Sequence, residues 1–335
     1  MRRNMNLWKQ EILASKKRLV IPVITHPGIA MNNQTVLETV RSARLHASAV
    51  QTVARHYPTS ASTLIMDLSV EAETFGAKVR FSEDEVPSVV GRIVSDGESI
   101  DQLKIPALSE GRVGQWIEAS RIVSQTLTDR PLRACCIGPF SLAARLFDVT
   151  EILTAILIDP EPIHRLLEKC VRFLTSYVQA FKEAGANGVF MAEPVAGVLS
   201  SDLCTEFSSN YVKRIVEAAQ DEYFIVMLHN CGDTDTLVES MVATGAAALH
   251  FGNRCNIVEA LPKIPADTLV LGNIDPVGVL KSGDAEVVSS ATLRLLLDTK
   301  EFPNYVLSSG CDIPPRVPIE NIDAFFRALN DFNKR

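Results

Sequence analysis

The chain has 335 residues, 47% of them apolar and 22% charged, with a formal net charge of −7. A chain of this length buries a sizeable core, as one large barrel or two ordinary domains. Its acidic balance argues against nucleic acid or an anionic membrane as the main partner, since both reward basic patches.

The N-terminus, "MRRNMNLWKQEILASKKRLVIP", starts basic, lacks an apolar run of signal-peptide length, and reads over 1–17 as a short helical extension. No later window holds the roughly 18 apolar residues of a membrane span, so a cytoplasmic protein is expected. Seven cysteines, at 135, 136, 170, 204, 231, 255 and 311, are an odd count in a chain too large to need stapling. Reduced thiols follow.

Eight short apolar runs recur along the chain. They cover 18–28, 63–69, 132–139, 187–194, 223–232, 246–253, 268–276 and 304–311. Amphipathic stretches of helical period separate most of them, as at 160–185. Strands that are apolar on both faces and alternate with helices are what a parallel (β/α)8 TIM barrel requires, here a single domain over 1–335. The competing open sheet lacks its fingerprint, because neither GxGxxG nor GxxxxGK[ST] follows the first run.

A barrel gathers its strand C-termini at one mouth. The run ends supply His26, Asp67, Gly138, Glu193, His229 with Cys231, His250, Asp275 and Cys311. In extended chain His229 and Cys231 face the same way about 6.6 Å apart, so both can reach one ion while Asn230 points away. Cys311, at the end of the eighth run, is the expected third ligand. Two sulfurs and an imidazole suit Zn²⁺ with one position open, which Glu193 could fill at rest.

Plainer readings apply elsewhere. Cys135, Cys136, Cys170 and Cys204 read as small core residues, and Cys255 as a loop thiol. His250 reads as a hydrogen-bonded pocket histidine. Asp67 reads as a helix cap, Glu71 and Glu73 as residues favouring a helix N-terminus, and Gly138-Pro139 as a strand-ending turn.

Five segments together carry a resemblance: "DLSVEAETFGAKVRF" (67–81), "CIGPFSLAARLF" (136–147), "LHNCGDT" (228–234), "LGNIDPVGVL" (271–280) and "LSSGCDIPPRVPIENIDAFFRAL" (307–329). In this order they resemble the uroporphyrinogen decarboxylase superfamily, and within it the corrinoid-dependent methyltransferases of the methylcobalamin:coenzyme M type. The resemblance implies a barrel enzyme carrying zinc on His229, Cys231 and Cys311, and Asp275 falls in a motif shared across the superfamily; with it, Asp67 and Glu193, as strand-end residues, are the candidate catalytic residues.

It also implies transfer of a methyl group from methylcobalamin, free or on a corrinoid protein, to a thiol such as coenzyme M. A corrinoid must come from outside, because the chain has no DxHxxG motif. The resemblance allows a homodimer. Three departures stand out. The decarboxylase branch opens with an arginine-bearing "MRQAGR" segment where this chain has "VITHPGIAMNNQT"; against the methyltransferase branch, "MAEPVAG" (191–197) matches the loop after the fourth strand only loosely, and "HFGNRCN" (250–256) is unusual. A tetrapyrrole decarboxylase and a non-catalytic zinc- or corrinoid-binding barrel are the alternative readings.

Overall fold

A computed structural model describes residues 3–334. Met1, Arg2 and Arg335, at the ends of the expected 1–335 domain, lie outside the described residues.

Among the described residues nine strands occur in chain order: β1 (Ser62–Thr63), β2 (Lys78–Arg80), β3 (Ser88–Val90), β4 (Leu132–Ile137), β5 (Gly188–Ala192), β6 (Ile225–Asn230), β7 (Ala248–Phe251), β8 (Leu269–Ile274) and β9 (Tyr305–Ser309). Seven form one parallel sheet in the order β1-β4-β5-β6-β7-β8-β9, and β2 and β3 make a separate antiparallel pair. The fold is α/β. The main-sheet strands are buried almost throughout, as their unbroken apolar character demands.

Laid flat, this sheet would hold β1 and β9 about 29 Å apart, six spacings of about 4.8 Å. One short segment touches both edges. Ile21 N donates to Leu307 O at 2.9 Å and Leu307 N donates to Leu19 O at 3.0 Å on the β9 side, while Ser60 N, just before β1, donates to Val20 O at 2.8 Å. The sheet is therefore curled, with its edges brought to the 19–21 segment.

That segment is the first apolar run, and it departs from expectation. Only Val20 makes a ladder bridge, to Leu307, and His26 starts the helix His26–Met31 instead of ending a strand. Pro22 has no N–H to continue the ladder, and Pro27 sits comfortably in the first helical turn. The β2–β3 pair was not expected either, since its strands are three residues long and half exposed.

The helix Met5–Ala14 falls within the expected 1–17 stretch, and Asn4 caps it by accepting from Leu7 N at 2.9 Å. Met5, Trp8 and Ile12 belong to a core cluster with Ile21, Val23, Ala61, Ile225, Ala248 and Leu269, at the N-terminal ends of the strands. The long helix Pro160–Glu183 buries Ile163, Leu166, Leu167, Cys170, Phe173, Leu174, Tyr177, Val178 and Phe181, a helical-period stripe facing the sheet. Among the described residues no helix is long and apolar enough to cross a membrane.

Candidate metal centre

The register of the sheet sets up the site. Ala192 of β5, His229 of β6, His250 of β7 and Leu271 of β8 are successive partners, so they form one layer near the C-terminal ends of the strands. His229 is the penultimate residue of β6, and Cys231 lies just beyond it where the strand gives way to loop. Cys311 follows β9 by two positions.

Ligand atoms of His229, Cys231 and Cys311 all lie within 4.8 Å of one another. Glycines make that convergence possible. A Cβ on Gly252 would sit 2.5 Å from the Cα of Cys231, and a Cβ on Gly310 would sit 2.7 Å from Asn253 N. Any side chain at either position would push apart the loops that follow β6, β7 and β9.

His229 is buried, and its Nε2 has no hydrogen-bond partner among the described residues. A buried bare imidazole nitrogen is costly unless something fills the position. Its other nitrogen, Nδ1, faces the backbone oxygen of His250 at 3.2 Å and the Nδ1 of His250 at 2.8 Å. The two cysteines are partly buried and influence one another. The hydrogen bond from Cys311 pulls the Cys231 sulfur far below the ordinary thiol range, and the same contact, with burial, pushes Cys311 up. Two sulfurs and an unpartnered imidazole nitrogen fit a zinc ion in a three-ligand site.

The other thiols are of a different kind. Burial pushes Cys136 and Cys170 well up, Cys204 to about 11 and Cys255 to about 12, as small core residues would behave. Cys255 does lie in a loop, the one that follows β7, and is buried there.

The remaining candidates stand outside the cluster. Glu193 follows β5 and turns to the helix Pro139–Phe147, where its oxygens accept from Phe140 N at 2.8 Å, Ser141 N at 2.9 Å and Ser141 Oγ at 2.6 Å. Burial pushes its carboxyl up to about 7 against those hydrogen bonds. It is not among the groups that could share an ion with the three ligands.

Asp67 is buried against Arg112, whose Nη1 donates to it at 2.6 Å, and it also accepts from Ser69 N and Ser69 Oγ. Arg112 bonds Glu73 as well, at 2.5 Å. Asp275 accepts from Val277 N and Gly278 N, both at 2.9 Å, and so shapes the turn after β8. Glu71 and Glu73 do lie in the first turn of the helix Val70–Thr74.

A cavity of about 300 Å³ is lined by His26, Met66, Leu68, Val86, Pro87, Arg145, Asp312 and Pro314 among others, with none of the three candidate ligands in its lining. His26 Nε2 lies 3.1 Å from Asp312 Oδ2, next in sequence to Cys311. Arg145 forms no ion pair among the described residues. Sequence reasoning missed Arg145 and Asp312. Arg145 looks like an ordinary helix residue, and Asp312 is marked only by following Cys311.

Comparison with known proteins gives the following. The family profile described as Uroporphyrinogen decarboxylase (URO-D) matches residues 20–332. The methylcobamide:CoM methyltransferase MtbA of Methanosarcina acetivorans is 29% identical over 279 residues, 79% of this chain and 78% of that protein. The uroporphyrinogen decarboxylase of Alkalilimnicola ehrlichii is 27% identical over 292 residues, 84% of this chain and 79% of that protein. In structure, a methyltransferase from Methanosarcina mazei superposes with a TM-score of 0.88 at 21% identity, over 98% of both chains. That likeness speaks to fold.

Proposed function

We propose, from the premise that the chain belongs to the uroporphyrinogen decarboxylase family, that it is a zinc-dependent methyltransferase moving a methyl group from a methyl-corrinoid to a thiol. The observation that carries this reading is the cluster of two sulfurs and a buried, unpartnered His229 Nε2. The relatives named methylcobamide:CoM methyltransferase support the same branch.

The curled sheet is taken as a closed eight-stranded barrel whose eighth stave is the proline-interrupted 18–24 run. In support, that run bonds to both sheet edges. The mouth then lies at the C-terminal ends of the strands, where the ligands are.

His229, Cys231 and Cys311 would hold the ion. Zinc bound there would supply a Lewis acid that keeps a substrate thiol deprotonated near neutral pH. The chain's own part is to bind and orient. With three protein ligands, the ion would keep a position for the substrate sulfur. The cavity, apolar but for His26, Asp312, a serine pair and Arg145, takes the rest of the thiol and sheds water around it. The substrate sulfur forms a bond to the methyl carbon as the cobalt–carbon bond breaks, and the electron pair of that bond stays on cobalt. The corrinoid arrives free or on a separate corrinoid protein.

Relatives named uroporphyrinogen decarboxylase favour a second reading, decarboxylation of a tetrapyrrole. A substrate bearing several carboxylates calls for several cations, and the mouth cavity offers Arg145 alone, beside Asp312. Asp67 is moreover already held by Arg112 and Ser69.

The test is to incubate zinc-loaded protein with methylcobalamin and a panel of thiols that includes 2-mercaptoethanesulfonate. The absorbance should change to that of demethylated cobalamin, and an S-methyl product should appear by mass spectrometry. No transfer to any thiol, together with decarboxylation of uroporphyrinogen, would overturn the reading.

A further inference from the structure

The geometry points to His250, backed by Ser308, as a positioning residue that fixes the tautomer of His229 and thereby presents a bare Nε2 to the metal position. The inference concerns the ligand-binding half of the function proposed above and rests on that half alone.

A hydrogen-bond chain runs from the backbone of Ile21 through Ser308 and His250 to His229. Ser308 Oγ lies 2.9 Å from the backbone oxygen of Ile21, which can only accept, so the serine hydroxyl gives its proton there. Ser308 Oγ is then left as the acceptor for His250 Nε2, 2.9 Å away, and that nitrogen must carry a hydrogen. At the other end, His229 Nδ1 faces two groups of the same residue, the carbonyl oxygen of His250 at 3.2 Å and its Nδ1 at 2.8 Å. A carbonyl oxygen never donates. A lone pair on His229 Nδ1 would therefore oppose that oxygen, whereas an N–H there is shared between two acceptors.

The only arrangement that satisfies every contact is Ile21 O accepting from Ser308, Ser308 accepting from His250 Nε2–H, and both His250 acceptors receiving His229 Nδ1–H. Nε2 of His229 is then unprotonated, and it is the atom that lacks a partner.

The chain is well placed to hold one state. His229, His250 and Ser308 are all at most 1% exposed, so water does not compete for these groups. The parallel register sets His229 directly beside His250, and their rings meet nearly perpendicular, at 76° with centroids 4.7 Å apart. Phe190 packs on both rings and restricts their rotation. Metal-binding histidines generally donate their second nitrogen to a carboxylate, a carbonyl or water, and losing such a partner typically costs 10- to 100-fold in metal affinity. Here the partner is a second imidazole with its own backbone carbonyl, which matches no spacing rule and comes from a neighbouring strand.

The test uses ¹⁵N-histidine NMR on metal-free protein together with zinc affinity by chelator competition. In the wild type, the His229 signals should report a protonated Nδ1 and a bare Nε2. His250→Gln, whose amide oxygen can accept from His229 and whose amide NH₂ can donate to Ser308, should keep that tautomer and stay within about threefold of wild-type zinc affinity. His250→Leu, which leaves His229 Nδ1 only the longer contact to the backbone carbonyl of residue 250, should populate the Nε2-protonated tautomer measurably and lose about tenfold in affinity.

A wild-type spectrum showing Nε2 protonated would overturn the inference, even if neither variant folds. So would a His250→Leu protein that binds zinc as tightly as wild type. Neither readout involves methyl transfer, so absence of that activity would leave this result intact, and failure here would leave the reaction class standing.

Discussion

Arg112 and Asp67 form a buried ion pair across 45 residues of sequence, with Arg112 Nη1 donating at 2.6 Å and the Asp67 side chain fully enclosed. Arg112 also holds Glu73 and Ser69 Oγ and lies against the rings of Phe81 and Trp116. Removing the guanidinium leaves a buried carboxylate without its counter-charge, which typically costs about 3–5 kcal/mol. Arg112→Ala should therefore lower the free energy of unfolding, extrapolated from urea titration, by that order. A loss below about 1 kcal/mol would show that Asp67 does not depend on this partner.

Glu193 gives a prediction about what it is not. Its oxygens are engaged by Phe140 N, Ser141 N and Ser141 Oγ, so it should not be a metal ligand. Glu193→Gln should bind zinc at wild-type stoichiometry, as measured by mass spectrometry of the purified protein. Loss of the metal in this variant would return Glu193 to the fourth position that the sequence suggested.

Glu71 predicts a pH dependence. It is fully buried, accepts from Ile137 N with one oxygen, and leaves the other without a partner. Burial raises its carboxyl from 4.5 to about 8. Because the folded value lies above the unfolded one, the native state binds the extra proton between pH 4.5 and 8. Stability from this group is fully present below about 4.5 and is lost as pH rises toward 8. Glu71→Gln, which keeps the acceptor and cannot ionise, should overtake wild type progressively across that window, by on the order of 2–4 kcal/mol at its top. Parallel melting-temperature curves for the two proteins from pH 5 to 8.5 would contradict this.

Arg145 bears on the acceptor. A partly buried arginine in the mouth cavity with no ion pair among the described residues favours a thiol that carries an anionic group. Under the proposed function, Arg145→Ala should raise KM for 2-mercaptoethanesulfonate about tenfold or more, equivalent to about 1.4 kcal/mol, and leave KM for neutral 2-mercaptoethanol nearly unchanged. Equal changes for both thiols would place the arginine's effect elsewhere.

Much of this arrangement could be read from the chain, for physical reasons that also explain the gaps. Strands buried on both faces must be apolar throughout, so six of the eight runs contain main-sheet strands, while 63–69 meets the two-residue β1 only at Thr63. The period of two marks His229 and Cys231 as a pair without any tertiary information. The first run was misread because apolar character says nothing about donors, and Pro22 removes one where the ladder needed it. The β2–β3 pair escaped because two three-residue strands carry almost no periodicity.

The site's support was less visible still. That Glu193 turns to Ser141, or that His250 faces His229 nitrogen to nitrogen, depends on which strands become neighbours and in what register. Gly252 and Gly310 look like ordinary loop glycines until the loops they join are brought into contact.

Zinc-edge X-ray absorption on the zinc-loaded protein, before and after addition of 2-mercaptoethanesulfonate, counts the sulfurs on the metal. Two sulfur neighbours at about 2.3 Å are expected in the first spectrum, from Cys231 and Cys311, and three in the second as the substrate sulfur enters. A protein that takes up no zinc, or a sulfur count that stays at two with saturating thiol, would contradict the proposed function.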